Sequence, residues 1–279
     1  MFKIGIAEEY IMGYDHYRIK SNARIFYKNN KGEAIMSVLV QLGTSAAMSS
    51  VVTGIRFLLS IFVLPLAMLP FAKVYEKSEA AGAALLTSIM MIITFALIIL
   101  MMAALIPLSM GYMNWYRRSI YEKVSLVDIL EFFRSDRLWS CIGTGLLRGL
   151  YVMLWSLLFY IPGIIKTYSY SQTFFIKAEN PNISPSRAIE LSKIIMDGHK
   201  GQLFYLHLSF LGWFILSLFT CNILGILYVI PYYNAALAFA YEEIKADAVA
   251  RGIIDIREIA PQYEYDMRET LETPSDPEM

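Results

Sequence analysis

Residues 202–240 read QLFYLHLSFLGWFILSLFTCNILGILYVIPYYNAALAFA and contain no Asp, Glu, Lys or Arg. A single straight helix of this length would measure about 58 Å, whereas a bilayer core is about 30 Å thick and takes roughly 20 residues to cross. Thr220, Cys221, Asn222 and Gly225 supply polar and flexible residues for a turn near the middle. The stretch therefore predicts two membrane passes, at about 202–219 and 223–241.

The whole chain has the composition of a membrane protein. It is 57% hydrophobic and 17% charged, with a mean hydropathy of +0.48, whereas soluble domains are about a quarter charged. The net charge of zero hides an asymmetry, because residues 1–241 hold 20 Lys/Arg and 13 Asp/Glu while residues 242–279 hold 4 and 11. We expect a basic membrane body with an acidic tail, and no cleavable signal peptide at the N-terminus.

Further apolar regions precede residues 202–240 in the chain and complete the predicted architecture. Their lengths predict four more passes, at about 34–72, 80–116, 138–158 and 160–178. The fold class is therefore an all-α polytopic membrane protein with about six transmembrane helices. The first region, 34–72, is long enough to be one broken pass, one pass preceded by an interfacial segment, or two passes, and two passes would bring Arg56 to the far face.

Two segments between the passes are amphipathic. Residues 125–133 begin with an S-x-x-D capping pattern, and residues 184–198 begin with Ser184 as N-cap and Pro185 at the first helical position. We interpret both as surface helices on the cytoplasmic side. For 125–133, a short soluble connector helix is the alternative. A third amphipathic helix is predicted at 22–31, with Asn22 as its N-cap.

The chain contains a degenerate repeat. Each unit runs from a surface segment through an apolar pass to a second pass with Ile-Pro, and ends in aromatic residues and a charge. The three second passes contain, and run on through, IPLSMGYMNWYRR, IPGIIKTYSYSQTFFIKAE and IPYYNAALAFAYEE. We infer three degenerate helical hairpins, and internal repeats of this kind are frequent in transporters but not confined to them.

The distribution of cations predicts the topology. Lys and Arg cluster before the first pass, between 117 and 137, and between 177 and 200, so the positive-inside rule places both termini in the cytoplasm. This gives a cytoplasmic segment 1–33, a membrane domain 34–243, and an acidic cytoplasmic tail 244–279 that starts as a helix and is partly disordered.

Several marks within 161–243 resemble one known family. They are IPGII, the YSYS run, AENP, S-x-A-I-x-x-S, Gly-His-Lys, LSFLGWF and IPYYNAALA. The segment resembles the bacterial integral membrane proteins catalogued as domain of unknown function 975, most strongly over about 160–243. That family is distantly similar to membrane domains found beside glycerophosphodiester phosphodiesterases, but no phosphodiesterase domain is present in this chain. The resemblance implies a multi-pass protein of the bacterial cytoplasmic membrane and transfers no catalytic or binding residue.

Polar residues inside the predicted passes are the candidate site, because such residues are costly in a bilayer. Arg148 could face a polar interior, bind a lipid phosphate or be structural, whereas Lys166 is most simply a snorkelling residue. His207 is interpreted as a hydrogen-bonding residue between helices rather than a ligand or proton relay. Asn234 is expected to bind the carbonyl group that a neighbouring proline kink would free.

Pro107, Pro162 and Pro231 occupy matching places in the three repeats. They could expose backbone groups to a substrate, or simply kink the helices so that they pack. No metal-binding or cofactor motif occurs, and the basic residues flank apolar passes, so we predict no metal, no cofactor and no nucleic-acid partner.

These observations favour a non-enzymatic membrane protein that binds a protein partner or membrane lipids through its surface helices and tail. The alternative is a transporter or transport-accessory subunit, with Pro-broken helices around a polar cavity lined by Arg148, His207 and Asn234. An intramembrane enzyme is disfavoured, because the predicted passes contain no acidic residue.

Overall fold

The computed structural model describes residues 14–58, 79–133 and 135–261, and within these ranges the chain is helical without strands. The elements, in chain order, are α1 (His16–Asn29), α2 (Lys31–Leu58), α3 (Glu79–Arg118), a 3₁₀ segment (Leu126–Phe133), α4 (Ser135–Leu158), α5 (Tyr160–Ser169), α6 (Thr173–Glu179), α7 (Pro185–Ile195), α8 (Lys200–Phe219), a π-helical segment (Gly225–Val229), α9 (Ile230–Ala250) and α10 (Ile256–Ile259).

Within the described ranges, four helical stretches are long and apolar enough to cross a membrane. They are Lys31–Ile55, Ser88–Arg118, Arg137–Leu158 and Lys200–Phe219. The all-helical membrane class is thus supported, and these stretches coincide with four of the predicted passes.

The other two predicted passes take a different form. Residues 160–178 do not make one helix, because α5 ends at Ser169 and α6 starts at Thr173. At about 15 Å, α5 is too short to cross alone. Residues 223–241 are divided between the π-helical segment and α9, and α9 continues into the charged residues that follow Tyr241.

The chain forms two compact units. One comprises residues 40–106 and contains the second part of α2 and the first part of α3; the described helices in it are strongly apolar. Residues 59–78, which include part of the predicted pass 34–72, lie outside the described residues. The other unit comprises residues 1–39 and 107–279.

Helix α9 is the central element of the larger unit. Its inner face is lined by small residues, including Ala235, Ala236 and Ala240, which are fully or almost fully buried. Helix α1 packs against α9, while α7 packs against both α4 and α6. The predicted N-terminal helix therefore belongs to the core, and it begins at His16 rather than Asn22, because Asp15 caps it by accepting from Tyr17 N at 2.9 Å.

Local capping chemistry set the start of α7 as expected. Ser184 accepts from Arg187 N at 3.3 Å, with Pro185 in the first turn. The turn after α8 is also where it was predicted, and there Cys221 and Asn222 adopt positive φ values of 48° and 63°. Cys141 is buried in α4, Cys221 is exposed in the turn, and both cysteines are free.

Candidate functional site

Arg148 lies in α4 beside the interruption between α5 and α6. Its Nε donates to the carbonyl oxygen of Tyr170 at 2.8 Å, and its guanidinium lies 4.8 Å from the ring centroid of Phe174. Tyr170 is the first residue after α5. The interrupted helix thus provides the carbonyl group that orients this cation.

The other three candidate residues have partners of their own. Lys166 Nζ lies 4.5 Å from the ring centroid of Trp155. His207 Nδ1 lies 3.1 Å from the hydroxyl of Tyr168, and Asn234 Nδ2 donates to the hydroxyl of Tyr112 at 2.8 Å. Among the described residues, no hydrogen bond or ring contact joins any two of the four candidates.

Each of the three prolines has a different place in its helix. Pro107 lies inside the continuous helix α3. Pro162 lies in the first turn of α5, where a missing backbone N–H costs little. Pro231 is the second residue of α9, but the π-helical segment runs directly into α9, so a carbonyl group precedes Pro231 by one helical turn. Pro162 thus stands near the start of α5, and the interruption within the predicted pass 160–178 comes at residues 170–172.

The carbonyl group four residues before Pro231 belongs to Leu227. Pro231 has no N–H to donate to it, and the hydroxyl of Tyr27 donates to this carbonyl at 2.5 Å. The interpretation that Asn234 fills this role is wrong. A tyrosine of α1 performs it, from a position 200 residues away in sequence.

A buried ionic cluster centred on Glu179 was missed by the sequence reasoning. The Glu179 carboxylate accepts from the Tyr241 hydroxyl at 2.5 Å, from Lys245 Nζ at 2.8 and 3.1 Å, and from Arg117 Nη1 at 3.2 Å. Lys245 also pairs with Glu242 at 2.8 Å. The cluster joins residues from the ends of α3 and α6 to α9, so it fastens together one end of the larger unit.

Electrostatics distinguish Glu179 from Glu243, another buried carboxylate of this region. Burial disfavours the charged form of Glu179, but Lys245 and Arg117 outweigh it and lower the pKa of Glu179 below its ordinary value. Glu243 pairs with Arg18 at 2.8 Å, yet burial is the larger effect and raises the pKa of Glu243. Glu179 is therefore the more firmly ionised of the two.

Lys177 is a second buried cation near this cluster. Its ammonium group donates to Ser140 Oγ at 2.7 Å, to Pro181 O at 2.7 Å and to Ile183 O at 2.6 Å. Three oxygen acceptors satisfy the three N–H groups of a lysine. Lys177 thus ties the loop between α6 and α7 to α4.

The positions of these charged residues in the sequence could have indicated the cluster, but they also fit the cytoplasmic ends of membrane passes. Arg117, Lys177, Glu179 and Lys245 stand at or near the ends of apolar stretches, where cations were read as markers of the cytoplasmic side. Tyr241 and Lys245 are four residues apart on one helix, a spacing that places them on the same face. That spacing could have suggested a shared partner.

The 3₁₀ segment presents an exposed apolar line. A 3₁₀ helix has three residues per turn, so residues three apart are eclipsed. Ile129 and Phe132 are buried, whereas Val127, Leu130 and Phe133 are 73%, 47% and 39% exposed. An α-helical period would place Leu126, Ile129, Leu130 and Phe133 on one face, but the tighter 3₁₀ winding separates these residues.

The backbone of α3 holds this segment closely. A Cβ placed on Gly111 would lie 1.8 Å from the carbonyl oxygen of Ile129. Only a glycine permits that approach. Trp139 lies near the start of the candidate span Arg137–Leu158 and is 76% exposed.

The helices and polar cluster describe a multi-helix protein with the character of an integral membrane protein. Within the chain, residues 157–248 match the family model described as protein of unknown function DUF975. The expected resemblance is confirmed over that segment. No curated protein and no solved structure matches the chain.

Proposed function

We propose that the protein is a non-enzymatic integral membrane protein of the bacterial cytoplasmic membrane. In this proposal six crossings form three helical hairpins, and both termini lie in the cytoplasm. The distribution of Lys and Arg and the four candidate spans support it. Residues 160–178 would cross as the interrupted pair α5 and α6, and residues 223–241 as the π-helical segment with the first part of α9.

The activity we propose is the binding of membrane lipid at the cytoplasmic face, and the exposed apolar line Val127, Leu130 and Phe133 carries the proposal. An apolar line on a surface helix is suited to the boundary between headgroups and acyl chains. The line lies next in sequence to a candidate span, and exposed tryptophans such as Trp139 favour membrane interfaces. This neighbourhood favours lipid over a protein partner as the occupant.

Charges beside the line suit the same occupant. Arg118 and Arg137 both pair with Glu131, and Arg118 also pairs with Glu122 at 2.8 Å. These groups lie at or near the surface, where such pairs are weak and exchange readily with anionic headgroups. The segment thus combines an apolar line with neighbouring cations.

Depth-dependent fluorescence quenching tests the proposal. Leu130→Cys would be labelled with a fluorophore in a Cys221→Ser background, leaving buried Cys141 in place, and reconstituted in phosphatidylglycerol and phosphatidylethanolamine vesicles with brominated acyl chains. We expect strong quenching, because the label would lie among the acyl chains. Glu122→Cys, on an exposed polar residue before the segment, is the matched control and should be quenched weakly.

Equal, weak quenching at both positions would contradict lipid binding by the line. A protein cross-linked through position 130 in native membranes would then favour a protein partner. Labelling of position 130 from the periplasmic side of intact cells would overturn the topology.

One observation favours the transporter alternative. The interruption at residues 170–172 lies beside Arg148, and discontinuous helices often form binding sites in transporters. Such a protein would need a shared polar cavity. The separate partners of Arg148, His207 and Asn234 place this function second.

A further inference from the structure

Arg148 is a cation in an apolar helix, and most of its hydrogen-bonding capacity is unused. A guanidinium carries five N–H donors. Its Nε is bonded to Tyr170 O. Throughout residues 14–58, 79–133 and 135–261, no carboxylate pairs with Arg148 and no acceptor bonds its two terminal nitrogens.

Arg148 is half-buried, and within the candidate span Arg137–Leu158 in a bilayer this arrangement would be unfavourable without a further partner. An arginine stays charged in proteins, and an unpaired charge away from water has a large desolvation cost. The ring of Phe174 and the carbonyl of Tyr170 offset part of that cost. An anion at the terminal nitrogens would offset the rest.

We propose that Arg148 binds a phosphate-type oxyanion. The Tyr170 carbonyl accepts from Nε, and the Phe174 ring lies beside the guanidinium, so the side chain is oriented. The N–H groups of Nη1 and Nη2 remain available for a ligand. Two parallel N–H groups on that edge match two oxygens of a phosphate. The site does not rest on the surface binding proposed above.

The position of Arg148 makes the site accessible to a lipid. The first half of α4 contains buried residues such as Cys141 and Thr144, and α4 packs against α6 and α7. Directly after Arg148, Gly149, Leu150 and Tyr151 are exposed. Arg148 therefore stands at the border between the covered and the exposed parts of α4. The phosphate of an anionic phospholipid and free inorganic phosphate offer the same chemistry there.

The carbonyl that orients Arg148 is itself fixed. Thr173 donates to Tyr170 O through its hydroxyl at 2.9 Å and its backbone N–H at 3.4 Å. Gln172 N donates to Ser192 Oγ at 3.1 Å, which joins the interruption to α7. The orienting group is thus part of a rigid turn, and a preorganised cation binds an anion with less loss of entropy.

The test uses the full-length protein purified in mild detergent and delipidated. One arm measures retention of phosphatidylglycerol, compared with phosphatidylcholine, by native mass spectrometry. The other arm measures binding of inorganic phosphate by calorimetry. Arg148→Gln should lower the affinity for the bound probe at least tenfold. Lys166→Gln is the matched control, since this second cation of the same helix pair is covered by the Trp155 ring, and it should bind like the wild type.

The outcome in each arm decides the proposal and the source of the anion. Loss of phosphatidylglycerol alone in Arg148→Gln identifies a lipid phosphate, and loss of inorganic phosphate identifies a soluble oxyanion. Unchanged binding of both probes, or an equal loss in Lys166→Gln, overturns the site. If Arg148→Gln does not fold, Arg148→Lys is used instead, because lysine keeps the charge but cannot bind a phosphate in a bidentate manner. Wild-type affinity in Arg148→Lys also overturns the proposed site.

Discussion

At the scale of single residues, the hydroxyl of Tyr27 compensates for a proline in another helix. Tyr27 is buried and donates to Leu227 O, the carbonyl group that Pro231 cannot reach with a backbone N–H. The bond is partly buried, and an acceptor shielded from water that loses its donor costs about 1–3 kcal/mol. The contact therefore stabilises α1 against α9 through chemistry that neither helix supplies locally.

We expect Tyr27→Phe to lower the free energy of unfolding by about 1–2 kcal/mol, because the Leu227 carbonyl would lose this donor. Thermal unfolding in mild detergent measures the change. In a Pro231→Ala background the same substitution should cost less, since alanine restores an N–H. Tyr17→Phe, on an exposed side chain of the same helix, should be neutral. Equal costs with and without Pro231 would refute the compensation.

The polar residues of the passes could be identified from sequence, whereas their partners could not. Arg148, Lys166, His207 and Asn234 stand out because they interrupt apolar runs. Their partners are aromatic rings, tyrosine hydroxyls and one backbone carbonyl. Such groups are common throughout the chain and carry no distinguishing pattern, so no spacing rule selects them.

At the scale of elements, the contact between α3 and the 3₁₀ segment depends on a glycine. A methyl group on Gly111 would overlap the Ile129 carbonyl oxygen. The helix and the segment would have to move apart, and this shift would carry the exposed line of Val127, Leu130 and Phe133 with it.

Gly111→Ala should therefore destabilise the protein by about 1–3 kcal/mol or more, as overpacking does. The midpoint of thermal unfolding checks the size, and fluorescence of a label at Leu130→Cys reports the displacement. Gly212→Ala is the control, because a Cβ there meets no heavy atom within 4 Å. A Gly111→Ala variant as stable as this control would contradict the close approach.

Sequence reasoning succeeded for elements whose boundaries are set by local chemistry. The start of α7 follows from Ser184 and Pro185, and the turn after α8 follows from polar residues that interrupt an apolar run. It failed for the 3₁₀ segment, since eight residues are too few to distinguish a period of 3.0 from 3.6. It also failed for the interruption at residues 170–172, which contains neither glycine nor proline.

At the scale of the whole molecule, the cluster around Glu179 joins parts of the chain that are distant in sequence. Glu179 lies 62 residues from both Arg117 and Tyr241, and 66 residues from Lys245. A pattern read along the chain cannot reveal such a meeting. The charged residues and the helices could be predicted from sequence, whereas the pairing of the charges depends on the tertiary structure.

We expect Glu179→Gln to lower the free energy of unfolding by about 3–5 kcal/mol, because Lys245 and Arg117 would lose their shared buried anion. Glu190→Gln, which removes an exposed partner of Arg187, should cost less than about 1 kcal/mol. Thermal unfolding of both variants in mild detergent makes the comparison. Similar losses in the two variants would contradict a central role for Glu179.

The lowered pKa of Glu179 makes the stability of the folded protein depend on pH. A carboxyl group whose folded pKa lies below its ordinary value of 4.5 contributes stability that is fully present above that value. The contribution disappears as the pH falls through the lower, folded pKa. The wild-type protein should therefore be more stable than Glu179→Gln at neutral pH and lose this extra stability only in acid. The thermal unfolding midpoints of the two proteins should converge there.

The same cluster imposes an order on biogenesis. The ribosome releases Arg117 first, Glu179 later and Lys245 last, so the carboxylate meets an arginine well before its lysine exists. In a chain halted before Lys245, Glu179 at the end of α6 has Arg117 as a cationic partner but lacks Lys245. The hydrogen bond from Tyr241 also has to wait until α9 is made. Closure of this end of the larger unit is thus a late event of synthesis, and it requires a chain in which α9 has been made as far as Lys245.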